Sequence, residues 1–130
     1  MNRSLLLLIL VLTFSAIGCK KTKDYRDNYT GNYNFSVHKT EIKSNGDTIF
    51  DSLLSYSGQI LKSTQVSEEI VINYLPNVNM NVVIDQNGRI SKSQFWGLAP
   101  GVSGNFETTD KVTFHYYLFP DSHVVTGSRK

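Results

Sequence analysis

The sequence predicts an all-β protein, and three observations carry that prediction. Apolar residues recur with period two from Gly31 onward, turn-forming residues separate the alternating runs, and no helical periodicity of useful length follows the apolar N-terminus. About eight strands joined mostly by tight turns make an antiparallel meander, closed into a barrel or, alternatively, folded as a β-sandwich. Closure is the more attractive arrangement because it removes the exposed edges of a small sheet.

The first strand is Asn32 to Lys39, where Tyr33, Phe35 and Val37 alternate with Asn34, Ser36 and His38. Asn45-Gly46 then suits the positive φ angles of a type I′ hairpin turn. The second strand, Thr48 to Leu61, places Leu54, Tyr56 and Ile60 on one face. The third, Val66 to Tyr74, aligns Ile70, Ile72 and Tyr74 before Leu75-Pro76-Asn77 breaks it. Met80, Val82 and Ile84 form the fourth, Asn87-Gly88 is a second hairpin dipeptide, and Arg89 to Phe95 pairs back. WGLAPGVSG reads as a loop. Val102 to Glu107 and Lys111 to Phe119 make a hairpin about Thr108-Thr109-Asp110. Pro120-Asp121-Ser122 is turn chemistry, and His123 to Arg129 closes the sheet. The expected inward set is Tyr33, Phe35, Val37, Tyr56, Ile70, Ile72, Tyr74, Met80, Val82, Ile84, Val112, Phe114, Tyr116 and Leu118.

Ahead of the strands stands a different kind of segment. Arg3 precedes a run from Leu5 to Ile17 that is apolar except for Thr13 and Ser15, as in a secretory leader. It is shorter than the ~20 apolar residues that a membrane-spanning helix needs. The run ends in Ala16-Ile17-Gly18-Cys19, which resembles the lipobox of bacterial lipoproteins. That resemblance implies cleavage between Gly18 and Cys19 and attachment of acyl chains to Cys19. Residues 1–18 are then a cleaved lipoprotein signal peptide, residues 19–28 (CKKTKDYRDN) a polar tether, and residues 29–130 a single β domain. Because Cys19 is the chain's one cysteine, its acylation leaves the domain without disulfides or thiol chemistry. Lys20 is not the aspartate that lipoprotein sorting rules associate with inner-membrane retention, which favours the outer membrane of a bacterial envelope. Periplasmic and surface-facing placements stay open.

A second resemblance lies at the two ends of the domain. YTGNYNF, Tyr29 to Phe35, is similar to the opening of calycin-type barrels, the group that includes lipocalins. There a Gly-x-Trp on the first strand is covered by an arginine from the last strand. Here Gly31 and Tyr33 occupy the glycine and aromatic positions, and Arg129 in TGSRK is the matching arginine. From leader to TGSRK the chain resembles small bacterial lipoproteins with a lipocalin-like domain. The resemblance implies a barrel and supplies no ligand.

The chemistry-bearing residues point away from catalysis. The net charge is +2 and falls by one with removal of Arg3, giving no field for nucleic acid. His38 and His115 fall on polar faces and His123 sits beside a turn, so all three read as solvated, and no three ligands share a metal-binding spacing. Glu68-Glu69 point to opposite faces of a strand and cannot act as an acid/base couple. No nucleophile elbow or phosphate-cradling glycine motif is present. The expectation is no enzyme activity, no metal and no cofactor.

Binding remains. Trp96, in the apolar FWGLAP loop, together with Tyr117 and Phe119 forms a candidate interaction patch. Asp47-Thr48-Ile49 and Asp51-Ser52-Leu53 resemble acceptor sequences of some bacterial O-glycosylation systems, which would modify Thr48 and Ser52. The expected role is that of a membrane-anchored envelope lipoprotein with a non-catalytic binding, structural or accessory function. The alternatives are a carrier of a small hydrophobic ligand inside the barrel, and an inhibitor or accessory subunit that meets an envelope protein through its loops.

Overall fold

The computed structural model describes residues 22–92 and 100–130. Its strands are β1 Gly31–Ile42, β2 Thr48–Lys62, β3 Glu69–Asn73, β4 Met80–Ile84, β5 Arg89–Lys92, β6 Gly101–Thr108, β7 Lys111–Leu118 and β8 Asp121–Arg129. Each pairs antiparallel with the next. β8 returns to β1, in register from Tyr33↔Arg129 to Glu41↔Asp121, and the sheet closes into an eight-stranded barrel rather than a sandwich. Closure follows from the pleat. With one apolar residue in two, every strand has a face to bury, and curling the sheet buries all of those faces together.

The core is the inward row of each strand. Tyr33, Phe35, Val37, Ile60, Ile70, Ile72, Tyr74, Val82, Ile84, Ile90, Val112, Phe114 and Val125 are buried almost completely. Each such side chain contributes about 1.5–3 kcal/mol by leaving water. Tyr56, Tyr116 and Leu118 also face inward, but are only partly covered because they stand near one rim.

The wall has two heights. β3, β4 and β5 are five, five and four residues long, whereas β1 and β2 are twelve and fifteen. Consequently β2 meets β3 only over Gln59–Lys62, while its remaining length pairs, among the described residues, with β1 alone. The β1–β2 hairpin therefore rises beyond the short strands as an arm.

Three sequence expectations change. The hairpins at Asn45-Gly46 and Asn87-Gly88 are not type I′, because only the glycines take positive φ, +90° and +80°. Asparagine and aspartate side chains set these turns instead. Asp47 N donates to Asn45 Oδ1, and Asn87 N and Arg89 N both donate to Asp85 Oδ1. Such side-chain acceptors hold the backbone in an ordinary turn, and glycine supplies the single left-handed residue that follows.

Second, the stretch read as tether is partly structured. Tyr25–Asn28 forms a 3₁₀ turn and Arg26 is buried beneath the barrel. Third, His123 is not solvated but 7% exposed, because it shares the inward parity of Val125. The leader, Gly18, Cys19, Phe95 and Trp96 lie outside the described residues.

Candidate functional site

The two ends of the barrel differ in chemistry. At the lower end the chain enters through the 3₁₀ turn and closes the barrel with aromatic rings and two arginines. Arg26 grips Asp24 with two nitrogens, Nε at 3.0 Å and Nη2 at 2.7 Å from its oxygens. Its Nη1 donates to the carbonyls of Ser63, Val66 and Glu69 at 3.3, 3.1 and 2.9 Å. The guanidinium holds the Asp24 carboxyl down at about 2. One planar cation with five donors thus ties the incoming chain to the β2–β3 loop.

Arg129 sits opposite. Its Cζ lies 5.6 Å from the centre of the Tyr33 ring, and Nε donates to the Tyr33 hydroxyl at 3.3 Å. It also donates to the Asn28 carbonyl and pairs with Asp110 at 3.4 Å. Tyr33 Oη stands 2.9 Å from the Tyr29 carbonyl and 3.1 Å from that of Thr109, so its proton has an acceptor in either direction. Gly31 takes φ +147° beneath this arginine, whose Nε would lie 3.5 Å from an added Cβ. That space is ordinary; the backbone conformation is what favours glycine. The structure therefore brings Gly31, Tyr33 and Arg129 together at the closed end.

The upper end is built differently. Tyr74, Phe114, Tyr116 and His123 cross the barrel as a layer of rings, with Tyr116 stacked on His123 at 4.9 Å. Tyr74 Oη lies 2.9 Å from His123 Nδ1. Burial, aided by the Lys39 charge and opposed by Asp121, lowers the His123 pKa. Burial likewise pushes the Tyr74 hydroxyl far above its usual range. Both groups are therefore neutral near pH 7, a hydrogen-bonded plug rather than an ionised one. Among the described residues, His123 Nε2 and Ser52 Oγ are buried without a partner. Lys39, between them in register, pairs with Asp121 at 3.1 Å.

Above this layer the arm carries apolar side chains into solvent. Leu53 is 72% exposed and Ile49, Phe50 and Leu54 are also open. Phe119, 55% exposed at the β7–β8 turn, and Pro120 meet Ile42 and Ile49 along a groove of about 510 Å³. Tyr117 is exposed on the outer face of β7. Tyr117 and Phe119 are thus both surface residues of the upper end, while Trp96 lies outside the described residues. Thr48 is exposed at the arm's tip, and Ser52 faces inward with its Oγ buried.

Sequence reasoning missed the arm, although a signal was present. Ile49-Phe50 and Leu53-Leu54 are adjacent apolar pairs, and adjacency puts an apolar residue on both faces of a strand. His38 and Asp51, 2.6 Å apart, form a cross-strand pair on the arm's outer face. Among the described residues no three His, Cys, Asp or Glu converge on a metal-sized site, and no helix is long and apolar enough to cross a membrane. Comparison with protein-family models, with curated proteins and with solved structures finds no match to this chain.

Proposed function

We propose that this chain is a lipid-anchored protein of a bacterial envelope, similar to small lipocalin-like lipoproteins, whose barrel is a rigid, non-catalytic binding module. The observation that carries this reading is polarity along the barrel axis. The chain enters at the lower end, next to Arg26 and Arg129, whereas the exposed apolar residues Ile49, Phe50, Leu53, Leu54 and Phe119 gather at the upper end. With Cys19 acylated, the tether and the apolar arm occupy opposite poles, and the arm projects away from the membrane. Solvent-facing apolar side chains clustered in this way mark interaction surfaces.

The interior supports protein binding over carriage of a small molecule. Tyr33, Phe35, Tyr74 and Phe114 fill the lumen of a barrel whose strand number leaves room for side chains or for one small ligand.

Native mass spectrometry of the chain extracted gently from its own membranes tests the reading. The expected species is acylated at Cys19 and carries a stoichiometric protein mass that is lost in Phe119→Ser. A stoichiometric small apolar molecule retained by that variant would establish the carrier instead. An unacylated chain that Cys19→Ser leaves equally membrane-bound would remove the anchor.

A further inference from the structure

We propose that the free edge of β2 is a self-pairing surface, and that its partner is a second copy of this chain. The inference rests on the reading that the upper end is the binding end, and it adds a second copy of this chain to what that end holds. Residues Thr48–Gly58 pair with β1 on one side and with no described strand on the other, since β3 reaches β2 only from Gln59 onward. At ~3.4 Å per residue these eleven residues make an edge of roughly 37 Å. An edge strand offers a row of unpaired N–H and C=O groups, and proteins usually guard it with lysine, proline or a bulge. Between Thr48 and Gly58 there is no lysine, arginine or proline, and the single charge is Asp51, which is already paired to His38. A bulge at Ile49 interrupts the ladder near the tip and leaves Phe50–Gly58 in regular register with β1.

The edge is complementary to itself. A two-fold axis perpendicular to the sheet at Leu53 sets each strand antiparallel to its copy and keeps inner faces with inner faces. Leu53 then meets Leu53 on the outer face. On the inner face Phe50 meets Tyr56 twice, and aromatic cross-strand pairs of this kind stabilise sheets. Asp51 falls opposite Ser55, so no like charges oppose one another. Moving the axis to Ser52 or Leu54 sets Phe50 against Leu54 or Gly58 and loses both aromatic pairs. The axis also reverses strand direction, so the two lower ends point to opposite sides. Pairing therefore joins chains held on facing surfaces and not neighbours on one surface.

Eleven residues a side is about half of what a standard interface contributes, the size of weak, reversible contacts, so the pairing is sought at micromolar chain concentrations. Sedimentation velocity of the purified full chain across that range should show a reversible monomer–dimer equilibrium. Leu53→Lys, at a solvent-exposed position, should remain monomeric, and its melting temperature should equal that of the unsubstituted chain when both are dilute enough to be monomeric. In a Cys19→Ser background, Leu53→Cys should oxidise to a disulfide-linked dimer. Ser55→Cys should do so only when mixed with Asp51→Cys. A chain monomeric throughout, or a dimer indifferent to Leu53→Lys, overturns the proposal. If a monomeric chain still captures an envelope protein through Phe119, the self-pairing fails while the binding module stands; if capture is lost as well, both fail.

Discussion

The lower and upper ends of this barrel are built from the same strands yet solve opposite problems. Below, Arg26 and Arg129 saturate backbone carbonyls and cover Tyr33, so polar and apolar groups are satisfied within the chain. Above, the wall loses β3, β4 and β5 while β1 and β2 continue, leaving apolar side chains and one backbone edge facing water. The difference teaches that closure of a barrel is local. A short shared register at Gln59–Lys62 completes the ring, and strand length beyond that register is available for a partner.

Substitutions should separate the two regions by the size of their effect. Phe114→Ala empties the centre of the ring layer and should destabilise by about 3–5 kcal/mol, read as a lower denaturation midpoint. Arg26→Met strips the donors from three carbonyls and should lower stability by about 1.5–3 kcal/mol, as expected for hydrogen bonds to a charged group. A loss under 0.5 kcal/mol would mean that the lower end is closed without it. Arg129→Gln should lose about 0.5–2 kcal/mol, the range of a cation–π contact.

Acid should act at the upper layer. His123 has a lowered pKa in the folded chain, so below its ordinary value of 6.5 the unfolded chain binds more protons and stability falls with pH. His123 faces Tyr74, Tyr116, Lys39 and Asp121, and Asp121 limits the effect. Melting curves between pH 7 and pH 5 should show a steeper decline for the natural chain than for His123→Gln; equal slopes would place the acid sensitivity elsewhere. The smallest effect should come from the arm itself. Leu53→Lys should change stability by less than about 0.5 kcal/mol, as surface positions do, and a larger loss would show that the arm belongs to the core.

Much of this was legible residue by residue. Alternation in NYNFSVHK and in MNVVI gave the strands and their inward faces, because burial on a pleat depends only on parity. Parity also marked His123, which lies two residues from Val125, although its neighbouring turn residues suggested exposure. The turns at Asn45 and Asn87 were placed correctly but typed wrongly, since one dipeptide serves several turn types and the side chains two residues away decide, whereas Asp121 and Ser122, read as turn, open β8.

The sequence by itself determined that the chain is all-β and where most of the inward rows lie, with Ile90, Val125 and His123 left out of the expected set, and that Gly31, Tyr33 and Arg129 are suited to one cluster. Those properties follow from short-range geometry, namely period two and the residue types that tolerate turns. Only the tertiary structure decided that the sheet closes, that Arg26 seals the lower end, and that β2 outruns β3 to leave a bare edge. Each of these depends on which distant strands meet and over what length. Register between strands is set by the fit of the whole ring, and no local pattern records it.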